Sequence, residues 1–212
     1  MVHQPRTGFR YSVDAFWLAG FALEDGVPAT ALDLGTGSGI VAFLLAFAGC
    51  ETTGIDALPA WAEGWRSSFE DSAVRPELHL RDVREAHGRH ALVTCNPPYF
   101  PAGTGPVSPD PFRAAARTEG SATLADFAHA AVRSATERAV FVLPVERQAD
   151  LLAAAAPLGL HRRLQVGRKR VLLDLRPDAT LTEDASLPRD HPRVTGFVER
   201  FRGGGRTADE TG

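Results

Sequence analysis

Short apolar runs rich in β-formers recur along this chain, separated by stretches with helical periodicity. They are TALDLG (30–35), GCETTGID (49–56), ELHLRD (77–82), ALVTC (91–95), RAVFVLP (138–144), HRRLQVG (161–167) and RVLLDLRP (170–177). Helical patterns fall at 12–23, 38–48, 58–70, 121–136 and 145–157, the last an alanine-rich run ended by Pro157 and Gly159. Strands that alternate with helices are joined by crossovers, which predicts an α/β fold: a seven-stranded, mostly parallel sheet with helices on both faces. The last two runs follow each other with no helix between them, which predicts a C-terminal antiparallel hairpin at one edge.

A chain of 212 residues suits one domain. We expect that domain over 1–202, with 1–29 as an N-terminal lid and helix segment, and a disordered tail over 203–212. Residues 101–118, rich in Pro, Gly and Ser, predict a loop. The longest apolar runs, such as IVAFLLAFAG (40–49), are too short to cross a bilayer. The first ten residues lack an apolar signal core and there are only two cysteines, Cys50 and Cys95, so free thiols and a cytoplasmic setting are expected. The seven histidines form no convincing ligand set with the cysteines, and no metal is expected. A net charge of −3 gives no bulk signal for nucleic acid. Of 23 basic residues, however, only Lys169 is lysine, and the guanidinium groups that carry the rest suit phosphate contact and base stacking.

DLGTGSGI (33–40) stands directly after one strand and directly before an apolar helix. Gly35, Gly37 and Gly39 let the backbone turn tightly and bring its amides against a ligand. No G-K-[ST] follows, which excludes a P-loop, while strand, glycines and helix in that order are what a nucleotide-type cofactor site requires. The second strand ends in GID, which puts Asp56 at the carboxyl edge beside the loop, where a carboxylate accepts hydrogen bonds from ribose hydroxyls. A nicotinamide dinucleotide would fit this much. Asp82, after the third strand, places a further acid on the same edge, suited to the exocyclic amine of an adenine; its alternative role is a helix cap or a surface charge.

The fourth strand is cut short in ALVTCNPPYF (91–100). Proline cannot donate to a sheet ladder, so the strand must stop near Cys95. Each residue before a proline is pushed to extended geometry, so Asn96 and Pro97 are held open as a rigid, exposed lip.

These features in this order resemble class I S-adenosylmethionine (SAM)-dependent methyltransferases of the [DNS]PP[YF] type, which methylate amino or amide nitrogens. The resemblance implies a Rossmann-like fold and SAM as cofactor. Asp33 would then lie near the ammonium of the methionine moiety, with Gly35, Gly37, Gly39, Asp56, Leu58, Asp82, Val83, Asn96 and Ser12 completing the cofactor site. It also implies that the Asn96 side-chain oxygen and the Pro97 carbonyl accept hydrogen bonds from the target NH₂ while Tyr99 stacks on the planar group, with Pro98 and Phe100 beside the substrate. Glutamine in release factors, adenine in DNA, and adenine or guanine in RNA are the substrate classes that use such a clamp. The short stretch before the glycine loop and the absence of a separate recognition domain favour RNA.

QPRTGFRYSVDAFWLAGFA (4–22) is similar to the N-terminal signature of the tRNA1(Val) adenine-N6 methyltransferase family, FRAAARTEGSATLADF (112–127) to its stretch after NPPY, and RKRVLLDLRP (168–177) to its terminal strand. The resemblance implies methylation of adenine N6 at nucleotide 37, in the anticodon loop of valine tRNA, by a monomer or homodimer. Ser12 can cap the first helix, whose start would lie over the SAM pocket, with Asp14 favourable in its first turn. Arg10, Arg113 and Arg117, and the group Arg162, Arg163, Arg168, Lys169 and Arg170, are candidates for phosphate contacts. Another RNA or a protein glutamine is the alternative substrate, and an RNA-binding protein that keeps the fold without turnover is the alternative outside enzymes.

Overall fold

In the computed structural model, the described residues are 12–98 and 122–201. Eight strands form one sheet in the order β3-β2-β1-β4-β5-β7-β6-β8. They are β1 (Thr30–Leu34), β2 (Glu51–Asp56), β3 (Glu77–Leu80), β4 (His90–Cys95), β5 (Ala135–Pro144), β6 (Gly159–Val166), β7 (Arg170–Arg176) and β8 (Glu183–Leu187). Only β7 runs against its neighbours among the described strands. The α-helices are α1 (Val13–Ala22), α2 (Ile40–Phe47), α3 (Trp61–Glu70), α4 (Leu124–Ser134), α5 (Gln148–Ala154) and α6 (Pro192–Glu199).

The expected count of seven strands is therefore corrected to eight, and the hairpin of β6 and β7 is not at the edge, because β8 pairs parallel to β6. EDASL, the sequence of β8, has no β-branched or aromatic residue, so it carries no strand signal of its own. Its pairing is reinforced by side chains: Arg163 Nη1 lies 2.8 Å from Asp184, and Arg193 of α6 pairs with Glu183.

Successive residues of the inner strands feed two separate cores, as the twofold strand period requires. Ala139, Phe141 and Leu143 pack with α4 and α5 on one face. Val140 and Val142 pack with α1, α2 and α6 on the other. Helix α1 is apolar on every side and eight of its ten residues are buried, which suits a helix enclosed by a sheet and two helices. Its contact with α6 depends on Gly20, where a Cβ would stand 2.5 Å from Phe197 Cβ.

Both ends of α1 are fixed by charge. At its start, Ser12 Oγ accepts from the Asp14 amide at 3.3 Å, and buried Asp14 accepts from Arg170 Nε at 2.9 Å. Arg170 is opposite Pro144, so this end lies at the carboxyl edge of β5. At the other end, Arg138 donates to the Ala22 carbonyl at 2.7 Å and Arg162 to that of Phe21 at 3.4 Å. Guanidinium groups there complement the negative end of the helix dipole. Arg162 also lies 4.5 Å over the Phe21 ring and pairs with Glu24, Asp25 and fully buried Asp174. Arg176 pairs with Asp174 and Asp25, and Arg193 joins Glu24 to Glu183.

Three expected phosphate contacts are thereby corrected. Arg162 is buried among carboxylates, Arg170 is paired with Asp14, and Arg163 is held by Gln148 and Asp184. Asp174→Asn should leave Arg162 and Arg176 without a buried counter-charge and lower stability by about 3–5 kcal/mol. Urea denaturation would show this as a lower midpoint at constant slope; an unchanged midpoint would mean that the network contributes nothing.

Candidate active site

The carboxyl ends of four adjacent strands, β3-β2-β1-β4, carry the sequence motifs in spatial order. Strand β1 is flanked by β2 and β4, which makes its end the point where successive connections leave in opposite directions, the usual ligand crevice of an open α/β sheet. The glycine loop fills it. Gly35 has φ +67°, and a Cβ there would meet the Phe127 ring at 2.9 Å, so α4 can close on the loop only over a glycine. Gly37, at φ +55°, turns the chain so that its amide donates to Asp56 Oδ2 at 2.9 Å.

Asp33 lies beneath this loop, 2% exposed. Its two oxygens accept from Thr36 Oγ1 at 2.6 Å and from Thr94 Oγ1 at 2.8 Å. One buried carboxylate thus ties the glycine loop to β4, two residues before Asn96. Burial pushes the Asp33 carboxyl up to about 7, against the two hydroxyl donors, and the charge of Asp56 adds to the rise. Burial also raises Asp56, opposed by the Leu58 and Gly37 amides and by the Trp61 side chain. Asp56 Oδ1 accepts from the Leu58 amide at 2.9 Å, so each oxygen has one backbone donor and keeps acceptor capacity for a ligand hydroxyl.

Asp82 caps a short 3-10 turn, Val83–Glu85, accepting from the Arg84 amide at 2.9 Å and pairing with the Arg84 side chain through both oxygens, at 2.9 and 2.7 Å. Those contacts with Arg84 hold its carboxyl below the usual range. The capping role weighed for it in the sequence is the one seen. The Val83 side chain is in the core, which leaves only its main chain to face a ligand.

After β4, Asn96 and Pro98 are half-buried and Pro97 is buried. The lip is therefore packed on one side rather than exposed throughout. Cys95 is buried, and burial, then the nearby Asp33 charge, push its thiol well up, which makes it a packing residue. Tyr99, Phe100, Arg10, Arg113, Arg117 and the 101–118 loop, like the tail from 203, lie outside the described residues. Among the described residues no group of His, Cys, Asp and Glu could hold a metal ion, and no helix is long and apolar enough to cross a membrane.

Four contributors to the site carry weaker signals. Thr36 and Thr94 hold Asp33; Thr94 is a polar β-branched residue in an apolar strand, in register with Asp33. Trp65 Nε1 donates to the Gly37 carbonyl at 2.8 Å, and the Trp61 ring lies 3.5 Å from where a Gly37 Cβ would stand. Spacing alone makes both tryptophans look like packing on α3, because only the fold brings α3 back to the loop.

The buried Asp33 carboxyl bears on the choice of cofactor. Asp56 suits the ribose hydroxyls of a dinucleotide and of a single nucleoside alike, whereas the desolvated Asp33 carboxyl beneath the loop is unfavourable beside a pyrophosphate and favours a ligand with a positive charge. A further consequence concerns pH. With Asp33 at about 7 in the fold and near 3.9 unfolded, the native state retains its proton between these values while the unfolded state does not. Asp33 therefore costs stability as pH rises through that window, by up to about 1.4 kcal/mol per unit. Asp33→Asn should flatten this fall when urea denaturation is compared at pH 5 and pH 8; an equal fall in both proteins would place the proton elsewhere.

No family model matches the chain. Among curated proteins it is 38% identical over 170 residues to the tRNA1(Val) (adenine(37)-N6)-methyltransferase of Shewanella amazonensis, covering 75% of this chain and 71% of the relative. The enzyme of that name from Tolumonas auensis is 30% identical over 202 residues, covering 88% and 84%. Among solved structures, the ribosomal protein L11 methylase from Lactobacillus delbrueckii subsp. bulgaricus superposes with a TM-score of 0.61 at 16% identity, covering 82% of this chain and 84% of that one. The magnesium protoporphyrin IX methyltransferase from Synechocystis PCC 6803, solved with bound SAM, gives 0.53 at 16% identity and covers 78% of each chain. The structural likenesses establish a Rossmann-like methyltransferase fold, and the sequence relatives establish that this chain belongs to the tRNA1(Val) (adenine(37)-N6)-methyltransferase family.

Proposed function

We propose that the protein transfers a methyl group from SAM to the exocyclic N6 of adenine in tRNA, at nucleotide 37 in the anticodon loop of valine tRNA. The observation that carries this reading is the junction of a cation-favouring cofactor loop with the end of β4, joined through Asp33, in a chain of this family. SAM supplies an electrophilic methyl on a positive sulfonium, so neither a metal nor a covalent intermediate is required.

Asp56 would accept from the ribose hydroxyls with the capacity its backbone donors leave. Asp33 lies under the loop, where an ammonium group would offset its desolvation. Leu58 and the Val83 main chain would border the adenine of the cofactor, and Asp82 would take its amine once Arg84 yields one oxygen. Ser12 caps the start of α1, which the pair of Asp14 and Arg170 holds at the same edge, and its hydroxyl would border the cofactor there.

Asn96 and the Pro97 carbonyl would accept the two hydrogens of the target amine. That nitrogen shares its lone pair with the ring and is a poor nucleophile. Two acceptors aimed at its hydrogens favour the pyramidal, electron-rich form reached in the transition state and align it for attack. Tyr99, with Pro98 and Phe100 beside it, would provide the stacking platform. Arg10, Arg113 and Arg117 would meet phosphates. A loop base is already partly unstacked, so splaying it into the clamp costs little.

Incubation with labelled SAM and total tRNA, followed by digestion to nucleosides, should place the label in N6-methyladenosine. No label in tRNA, with label entering methylglutamine when a release factor is supplied in its place, would overturn the proposal. Asn96→Ala should lower turnover about a hundredfold with little change in SAM affinity; equal losses in both would make Asn96 a structural residue.

A further inference from the structure

The same carboxyl edge continues beyond the clamp strand, and the described structure shows which cations are free there. Strands β5 and β6 end at this edge, β7 starts from it, and β8 ends at it. Between β6 and β7, Gly167, Arg168 and Lys169 form a turn in which Arg168 and Lys169 are exposed. Arg189, exposed in the connection from β8 to α6, reaches back to this turn. Its side chain lies 3.5 Å from where a Gly167 Cβ would stand, and its guanidinium is 5.4 Å from the centre of the Trp17 ring. A cation over an indole is held in place with its N–H groups still directed to solvent.

The contrast with their neighbours is chemical. Arg162, Arg163 and Arg170 are taken up by carboxylates, whereas none of Arg168, Lys169 and Arg189 is ion-paired among the described residues. Asp190 and Glu146 are exposed nearby and temper the patch without pairing to it. At a strand spacing of about 4.8 Å, the three cations lie roughly 10–20 Å along the edge from the end of β4. That is the reach of a few nucleotides from a base seated in the clamp.

We infer that Arg168, Lys169 and Arg189 form a docking surface for the phosphates of the RNA strand flanking the methylated base. The inference rests on the tRNA reading above. Exposed, unpaired cations in line with the site suit a polyanion, and one guanidinium held over an indole beside two cations on an exposed turn suits a backbone rather than a base edge.

The test is tRNA binding measured across a salt series for wild type, Arg168→Gln/Lys169→Gln, Arg189→Gln and, as a control that also removes two exposed charges but at the amino edge of the sheet, Arg75→Gln/Arg89→Gln. Arg168→Gln/Lys169→Gln should bind about tenfold more weakly and lose between one and two units of the log K against log salt slope. Arg189→Gln should lose about one unit, and Arg75→Gln/Arg89→Gln should match wild type. SAM affinity and turnover at saturating tRNA should be unchanged throughout. Wild-type affinity and slope in Arg168→Gln/Lys169→Gln, in a protein whose wild type methylates tRNA, would overturn the docking surface alone. Absence of any methyl transfer to tRNA by wild type would overturn the functional reading, and the docking inference with it.

Discussion

The Asp33 carboxylate is the contact on which the site depends. It is almost wholly removed from water, and two hydroxyls, Thr36 Oγ1 and Thr94 Oγ1, are what make its burial tolerable. The first belongs to the glycine loop and the second to the strand that ends in Asn96-Pro97-Pro98. In the proposed reading, the half that takes the donor and the half that takes the acceptor are thus joined through one buried carboxyl beside the β1–β4 ladder. Asp56 then holds the far side of the loop through the Gly37 amide, and Trp65 holds the Gly37 carbonyl. A loop fixed through both its amide and its carbonyl presents its remaining amides in a set direction, which is what electrostatic preorganisation demands.

The amino edge of the sheet solves a different problem. Helix α1 is too apolar to stand in water and too long to be held by packing at one end. Its last carbonyls are bound by Arg138 and Arg162, and those guanidinium groups are in turn balanced by Asp174, Asp25 and Glu24. With the far end fixed, the pair of Asp14 and Arg170 sets the near end against the carboxyl edge. Structural charge is thus concentrated at the amino edge and around α1, while Arg168, Lys169 and Arg189 stand exposed at the carboxyl edge.

Most of the fold was legible because the strands that matter are those whose sequence has only one reading. RAVFVLP is buried on both faces and could be nothing but a central strand, and DLGTGSGI announces its own turn. β8 and α6 were not legible. EDASL is held as a strand by Arg163 and Arg193, partners distant in sequence, and α6 begins with a His191 cap and Pro192, followed by two buried apolar residues, Val194 and Phe197. The site divides similarly. Backbone-directed motifs such as the glycines, Asp56 and the NPP turn declare themselves locally, whereas Thr94 acquires its meaning only from its register opposite Asp33. Charge was the least legible feature: Arg162 and Arg168 look alike in sequence, and one is an internal strut while the other faces solvent.

In the proposed function, the carboxyl edge over β1 and β2 holds SAM through Asp56. Isothermal titration of the protein with SAM measures it directly, with Asp56→Ala as the comparison. The wild type should show one site per chain and the variant none, with the variant's fold intact by circular dichroism. Undiminished binding in Asp56→Ala, or none in the wild type, would contradict it.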